Sequence, residues 1–309
     1  MPRKTLKDNN KSKRKTQKIK PMICNPGIEN TSINDSCLTD SVLLKLKTSF
    51  NGSHPTNKIQ KNEPKKIWHE LKNKLTTCNK EDCWLETITD SAVRNKIEKE
   101  AFAPKQPNSW KKDPNTWLTN FDIVKVLKQY EKPYHNFRVI GPTPIDFDTY
   151  PIENMGTCVW EELCNFKLHN YIDKKHTKIG IVFNLDKHDE SGSHWVSMFI
   201  DLEDNFIFYM DSAGDSIPTE IKILVDRITK QATELHSPIN LTYYENNPLI
   251  HQKGDTECGM YSLFFILTML TNKRNNKKFK NYKEKIRFFK NKRIPDTCIY
   301  KYRKKYFNL

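Results

Sequence analysis

Glycine is scarce in this chain, nine residues in 309, which excludes collagen-like and glycine-rich repeat architectures. Long apolar runs are also missing. The longest, residues 262–270, holds nine residues, about half of the roughly 20 that a bilayer-spanning helix needs. The first twenty residues, MPRKTLKDNNKSKRKTQKIK, carry charge but no apolar segment after it, so no secretory signal is expected there. Zinc-type cysteine pairs are absent too. Cys78 and Cys83 are separated by four residues, and no second pair stands at a matching distance. The eight cysteines, at 24, 37, 78, 83, 158, 164, 258 and 298, are therefore expected to be reduced thiols rather than a disulfide framework.

What is present is a globular composition, 36% hydrophobic and 29% charged, with a net charge of +15. That charge is unevenly placed. Residues 1–20 carry nine Lys/Arg against one acid, and residues 271–309 carry fifteen against two, so the ends are basic and the body between them is mildly acidic. Any contact with a polyanion, nucleic acid included, is expected from the ends, although solvated charge explains such runs equally well.

Residues 1–33 are rich in Lys, Asn, Ser and Thr with little to bury, and read as a basic disordered arm. Over 34–104 the stretches DSVLLKLKTSF, KKIWHELKNKL and SAVRNKIEKEAF repeat apolar residues every three or four positions, which predicts a small helical domain. APKQPNSWKKDP, with three prolines in twelve residues, reads as a linker into a second domain over 105–309. That domain opens on a helix in NTWLTNFDIVKVLKQY, with Thr119 and Asp122 at capping-box spacing. Strand-like runs follow at 179–186, 194–202 and 205–212, then a helix from Pro218, a strand in INLTYYEN, and a buried helix in CGMYSLFFILTML. The fold class is α+β.

A lone cysteine before an apolar helix is ordinarily a small core residue. Cys258 has company. At the start of a buried helix it meets the positive end of the helix dipole and unpaired N–H groups, which favour thiolate over thiol. Gly259 would let a substrate backbone approach, and Gln252, six residues upstream, could join the Cys258 N–H as an oxyanion donor. A nucleophile needs a base, and the base an orienting acceptor. His194 starts one strand and Asp211 ends the next. The tight turn LEDN makes these strands a hairpin, so the two residues become neighbours. The order His, Asp, Gln, Cys is the reverse of papain, and no metal or organic cofactor is required.

HW at 194–195, YMDS at 209–212 and QKGDTECG at 252–259 resemble the His-Trp, Asp and Gln-x5-Cys-Gly signatures of the ubiquitin-like-protein (SUMO) protease family, whose clan includes the adenovirus protease. TWLTNFDI resembles the Trp-Leu helix start of SUMO proteases. The N-terminal helical region with TECGMYSLF is similar to the polyprotein proteases of large DNA viruses, African swine fever virus among them. The resemblance implies a papain-like core in the SUMO-protease arrangement, with Trp117 and Trp195 sandwiching a substrate Gly-Gly and Asn184 lining the site. In the swine fever branch the third catalytic position is Asn, whereas Asp211 follows the SUMO-protease pattern. The implied function is cysteine endopeptidase cleavage after Gly-Gly, in polyprotein maturation within the virion and host cytoplasm. Removal of ubiquitin-like proteins from host conjugates is the alternative by the same chemistry. A non-enzymatic nucleic-acid or virion-binding protein using the basic ends is the rival from another class.

Overall fold

The structure is a computed structural model describing residues 18–29, 31–151, 156–274 and 277–309. The predicted basic arm falls outside the described residues as far as residue 17. The chain divides into two compact units, broken chiefly between Phe102 and Ala103.

In the first unit, three helices, α1 (Asp40–Ser53), α2 (Pro64–Lys74) and α3 (Ser91–Ala101), turn their apolar stripes onto a core that includes Leu43, Leu46, Phe50, Ile67, Leu71 and Trp84. Thr39 and Asp90 start α1 and α3 by accepting hydrogen bonds from N–H groups of the first turn. Part of the stretch read as disordered is held in place. The Lys20 N–H donates to the Asn79 carbonyl, and Cys24 is disulfide-bonded to Cys37.

The second unit is built on a five-stranded sheet in the order β1 (Phe137–Pro144), β2 (Lys178–Asn184), β3 (Trp195–Asp201), β4 (Phe206–Met210), β5 (Thr242–Glu245). The β2–β3 and β3–β4 pairs are antiparallel; the outer pairs are parallel. Helices cover both faces, which is why the central strands read as nearly unbroken apolar runs. On β4, Phe206, Phe208 and Met210 enter one core while Ile207 and Tyr209 enter the other. The first core takes α4 (Asn120–Lys128) and α8 (Cys258–Thr271), with α9 (Tyr282–Asn291) and α10 (Asp296–Tyr306); the second takes α5 (Glu161–Cys164), α6 (Leu168–Asp173) and α7 (Thr219–Thr233). Helix α8 lies close on the sheet at Gly180, where an added Cβ would stand 2.9 Å from Ile266 Cγ2. The fold is mixed α+β, as the sequence predicts. Among the described residues no helix is long and apolar enough to cross a membrane.

Two expectations are corrected. The reduced-thiol reading fails for six of the eight cysteines, which pair as Cys24–Cys37, Cys78–Cys83 and Cys158–Cys164, leaving Cys258 and Cys298 free. Each pair brings its Cα atoms within bridging reach, a property of the fold that composition does not carry. The proline-rich stretch at 103–114 is no free linker. Trp110 is buried there against Phe307, ring centroids 5.1 Å apart, and Lys105 bridges to Asn308.

Candidate active site

The β3–β4 hairpin pairs Ser197 with Met210, so His194, just before β3, stands beside the residues just after β4. His194 Nε2 lies 2.7 Å from Asp211 Oδ1. Asp211 is fully buried, and the same oxygen accepts from the Ala213 N–H at 2.8 Å. A residue missed in the sequence holds this acid. Asn246, itself buried, accepts from the Asp211 N–H at 2.9 Å and donates to the Asp211 and Leu249 carbonyls at 2.6 and 2.9 Å. Its amide serves as donor and acceptor to a backbone that the sheet no longer pairs. The sequence reading ran the strand INLTYYEN through Asn246, whereas the observed strand ends at Glu245 and frees the Asn246 amide for this corner.

Cys258 is the first residue of α8 and is buried. Burial works against a charged His194. The Asp211 hydrogen bond, the Cys258 hydrogen bond and the charges of both outweigh it and raise the imidazole to about 10. The ring is thus held as a cation between an acid and the thiol, with Nε2 on the acid and Nδ1 left for the sulfur. Gln252 is tied to the same corner. Its Oε1 accepts from Ser212 Oγ at 2.8 Å, its backbone N–H donates to the Ser212 carbonyl at 2.8 Å, and its Nε2 donates to the Gly254 carbonyl at 2.5 Å. A primary amide has two N–H donors, so one is left for an oxyanion.

Trp195 is half-buried, and its Nε1 donates to the Leu118 carbonyl at 3.0 Å. Neighbouring Trp117 is 38% exposed. Leu118 leads into α4, whose start carries the expected capping box: Thr119 Oγ1 accepts from the Asp122 N–H, and Asp122 Oδ2 from the Thr119 N–H. Gly259 also has a packing task. An added Cβ would stand 3.2 Å from both Leu118 Cβ and Trp195 Cδ1. Its bareness therefore seats Trp195 and Leu118 against the helix that begins at Cys258. Asn184 organises the loop before β3. Its Oδ1 accepts from the Asp186 and Ser193 N–H groups at 2.9 and 3.3 Å, and Gly192, at φ +89°, presses against its amide. Asn184 thereby shapes the loop that delivers His194. In that loop His188 pairs with Asp146 at 2.6 Å.

A thiol on a helix start, an imidazolium beside it, a buried acid behind the ring and a glutamine amide at hand define a papain-like cysteine protease centre. Residues 165–306 match the Ulp1 protease family, C-terminal catalytic domain, and the chain is a cysteine protease with a catalytic domain of that kind. A protein of Acanthamoeba polyphaga mimivirus assigned as a thiol protease is 35% identical over 156 residues, which span 50% of this chain and 48% of that protein. A SUMO-1 cysteine protease of African swine fever virus is 28% identical over 293 residues, 87% of this chain and 99% of that protein. The crystal structure of the swine fever virus protease shares the fold with a TM-score of 0.63 at 22% identity, covering 94% of this chain and 96% of that one.

Proposed function

We propose that this protease is an endopeptidase that cleaves after Gly-Gly, maturing viral polyproteins during virion assembly in the host cytoplasm. The proton of Cys258 rests on His194, the thiolate attacks the carbonyl of the second glycine, and Gln252 with the Cys258 N–H receives the oxyanion. His194 then protonates the leaving amine, and water hydrolyses the thioester. The observation that carries the substrate class is the bond from Trp195 Nε1 to the Leu118 carbonyl. It locks one indole against the segment that presents the other, Trp117, beside the helix that begins at Cys258. A side chain at either position before the cut would meet an indole.

The test is a comparison of peptides. Gly-Gly-x should be cleaved and Leu-Gly-x and Gly-Leu-x refused, and Trp117→Ala should relax that refusal while raising KM through lost contact area. Similar kcat/KM for all three peptides with the unmodified enzyme would sink this substrate class. Two observations favour a second reading, release of a ubiquitin-like protein. The swine fever virus relative is named a SUMO-1 cysteine protease, and Asp211 follows the SUMO-protease pattern. A folded SUMO fusion run beside the peptides decides between the two.

A further inference from the structure

The residue before the nucleophile is an acid whose charge is turned away from the site. Glu257 occupies the N-cap position of α8, yet its side chain caps none of the helix N–H groups. It pairs instead with Arg303 of α10. Arg303 Nη2 reaches Glu257 Oε2 at 2.9 Å and Oε1 at 3.0 Å, and its Nε reaches Oε2 at 3.3 Å. Both side chains are buried, 3% and 8% exposed. The guanidinium also stacks over the Trp110 ring at 4.2 Å and donates to the Pro114 carbonyl. Trp110 Nε1 donates in turn to the Thr116 carbonyl at 2.8 Å, next to Trp117. The same end of the chain holds the rest of the loop. His251 Nε2 donates to the Phe289 carbonyl at 3.0 Å, the Ile294 N–H donates to His251 Nδ1 at 3.1 Å, and the Lys253 N–H donates to Asp296 at 3.1 Å.

We propose that Arg303 is a positioning residue of the protease: it withdraws the Glu257 carboxylate from the start of α8 and ties the Cys258 helix to the segment that carries Trp117. A carboxylate at an N-cap ordinarily accepts from the first-turn N–H groups and adds negative charge to the helix start. Here that would occupy the donors a thiolate and an oxyanion need, and would repel the thiolate. With both Glu257 oxygens on a guanidinium fork, the helix start stays open and electrically favourable to the anion.

The two partners therefore act on the thiol in opposite directions. In full-length protein carrying Cys298→Ser, Cys258 is the free thiol left among the described cysteines, and its iodoacetamide alkylation is followed against pH. Arg303→Met frees the carboxylate and should move the alkylation profile to higher pH by about one unit, the scale of a single nearby charge, while lowering kcat on a cleavable substrate by roughly tenfold. Glu257→Gln leaves the guanidinium charge uncompensated and should move the profile to lower pH. The double variant should return it to within a few tenths of a unit of the parent. If Arg303→Met does not fold, Glu257→Gln alone decides, because an unmoved or raised profile overturns the proposal. Both single variants losing activity with unshifted profiles, or a double variant that fails to restore the parent profile, would equally overturn it. Alkylation needs no substrate, so this outcome is independent of the Gly-Gly assignment.

Discussion

His194 keeps its proton because Asp211 and Cys258 flank it, and that sets the alkaline edge of activity. An ordinary imidazole is about half deprotonated near pH 6.5, whereas this one is raised to about 10. The cation is what protonates the leaving amine, so kcat/KM should fall only as pH climbs toward 10. The same proton stabilises the fold at every pH below 6.5, and that contribution is lost as pH rises through 10, since the folded value lies above the unfolded one. Asp211→Asn removes the charge behind the ring and keeps an acceptor for its N–H. Its alkaline limb should move down by at least a unit, with activity reduced but retained, and with less loss than in His194→Ala. A pH–rate profile of the two enzymes checks this. An unshifted limb in Asp211→Asn would assign the raised value to the thiol alone.

At the scale of elements, the site depends on how closely α8 lies on the sheet. Gly180 permits that approach: a methyl there would meet Ile266 Cγ2 at 2.9 Å and the Phe137 ring at 3.2 Å. Ile266 is β-branched and stiff, so Gly180→Ala should shift α8 rather than a rotamer. Overpacking of this kind costs about 1–3 kcal/mol, several degrees in Tm, and kcat should fall as well because Cys258 begins that helix; thermal melting and steady-state kinetics measure both. Much of this architecture is legible in the sequence. Strands β2, β3 and β4, helices α7 and α8 and the capping box at Thr119 announce themselves by run length and punctuation. So do His194 and Asp211, because a hairpin makes their meeting a matter of register. Other parts were hidden for physical reasons. β1 is interrupted by Gly141 and Pro142, where its register with β2 shifts. In α9 and α10 the buried stripe of Ile286, Phe289, Ile299, Tyr302 and Tyr306 is diluted by lysine and arginine. The packing of Gly259 against Leu118 and Trp195 depends on neighbours far away in sequence, and no local pattern holds it.

For the whole molecule, the uneven charge divides into two kinds of base. The C-terminal share is partly structural: Arg303 is buried on Glu257, and Lys285 is buried with its Nζ donating to the Met269 carbonyl at 2.9 Å. Burial pulls the Lys285 amine below the usual lysine range, so it offers little to an external anion. The N-terminal share is different in composition, nine Lys/Arg against one acid in residues 1–20, with few apolar residues to bury. The basic arm, rather than the tail helices, is therefore the segment proposed to bind a polyanion. Each phosphate neutralised releases condensed counterions and steepens the dependence of log K on log salt by about 0.9 for duplex DNA. Deleting residues 1–17 should flatten that slope by several such steps and leave peptide kcat/KM unchanged, since none of those residues belongs to the catalytic set. Charge-reversing the exposed tail lysines Lys301 and Lys304 should flatten it by less. Salt titrations of a fluorescent duplex against full-length, arm-deleted and tail-reversed proteins rank the two ends. A full-length protein that binds no duplex at low salt would leave the arm as solvated charge, and a slope lost only with the tail residues would reverse the assignment.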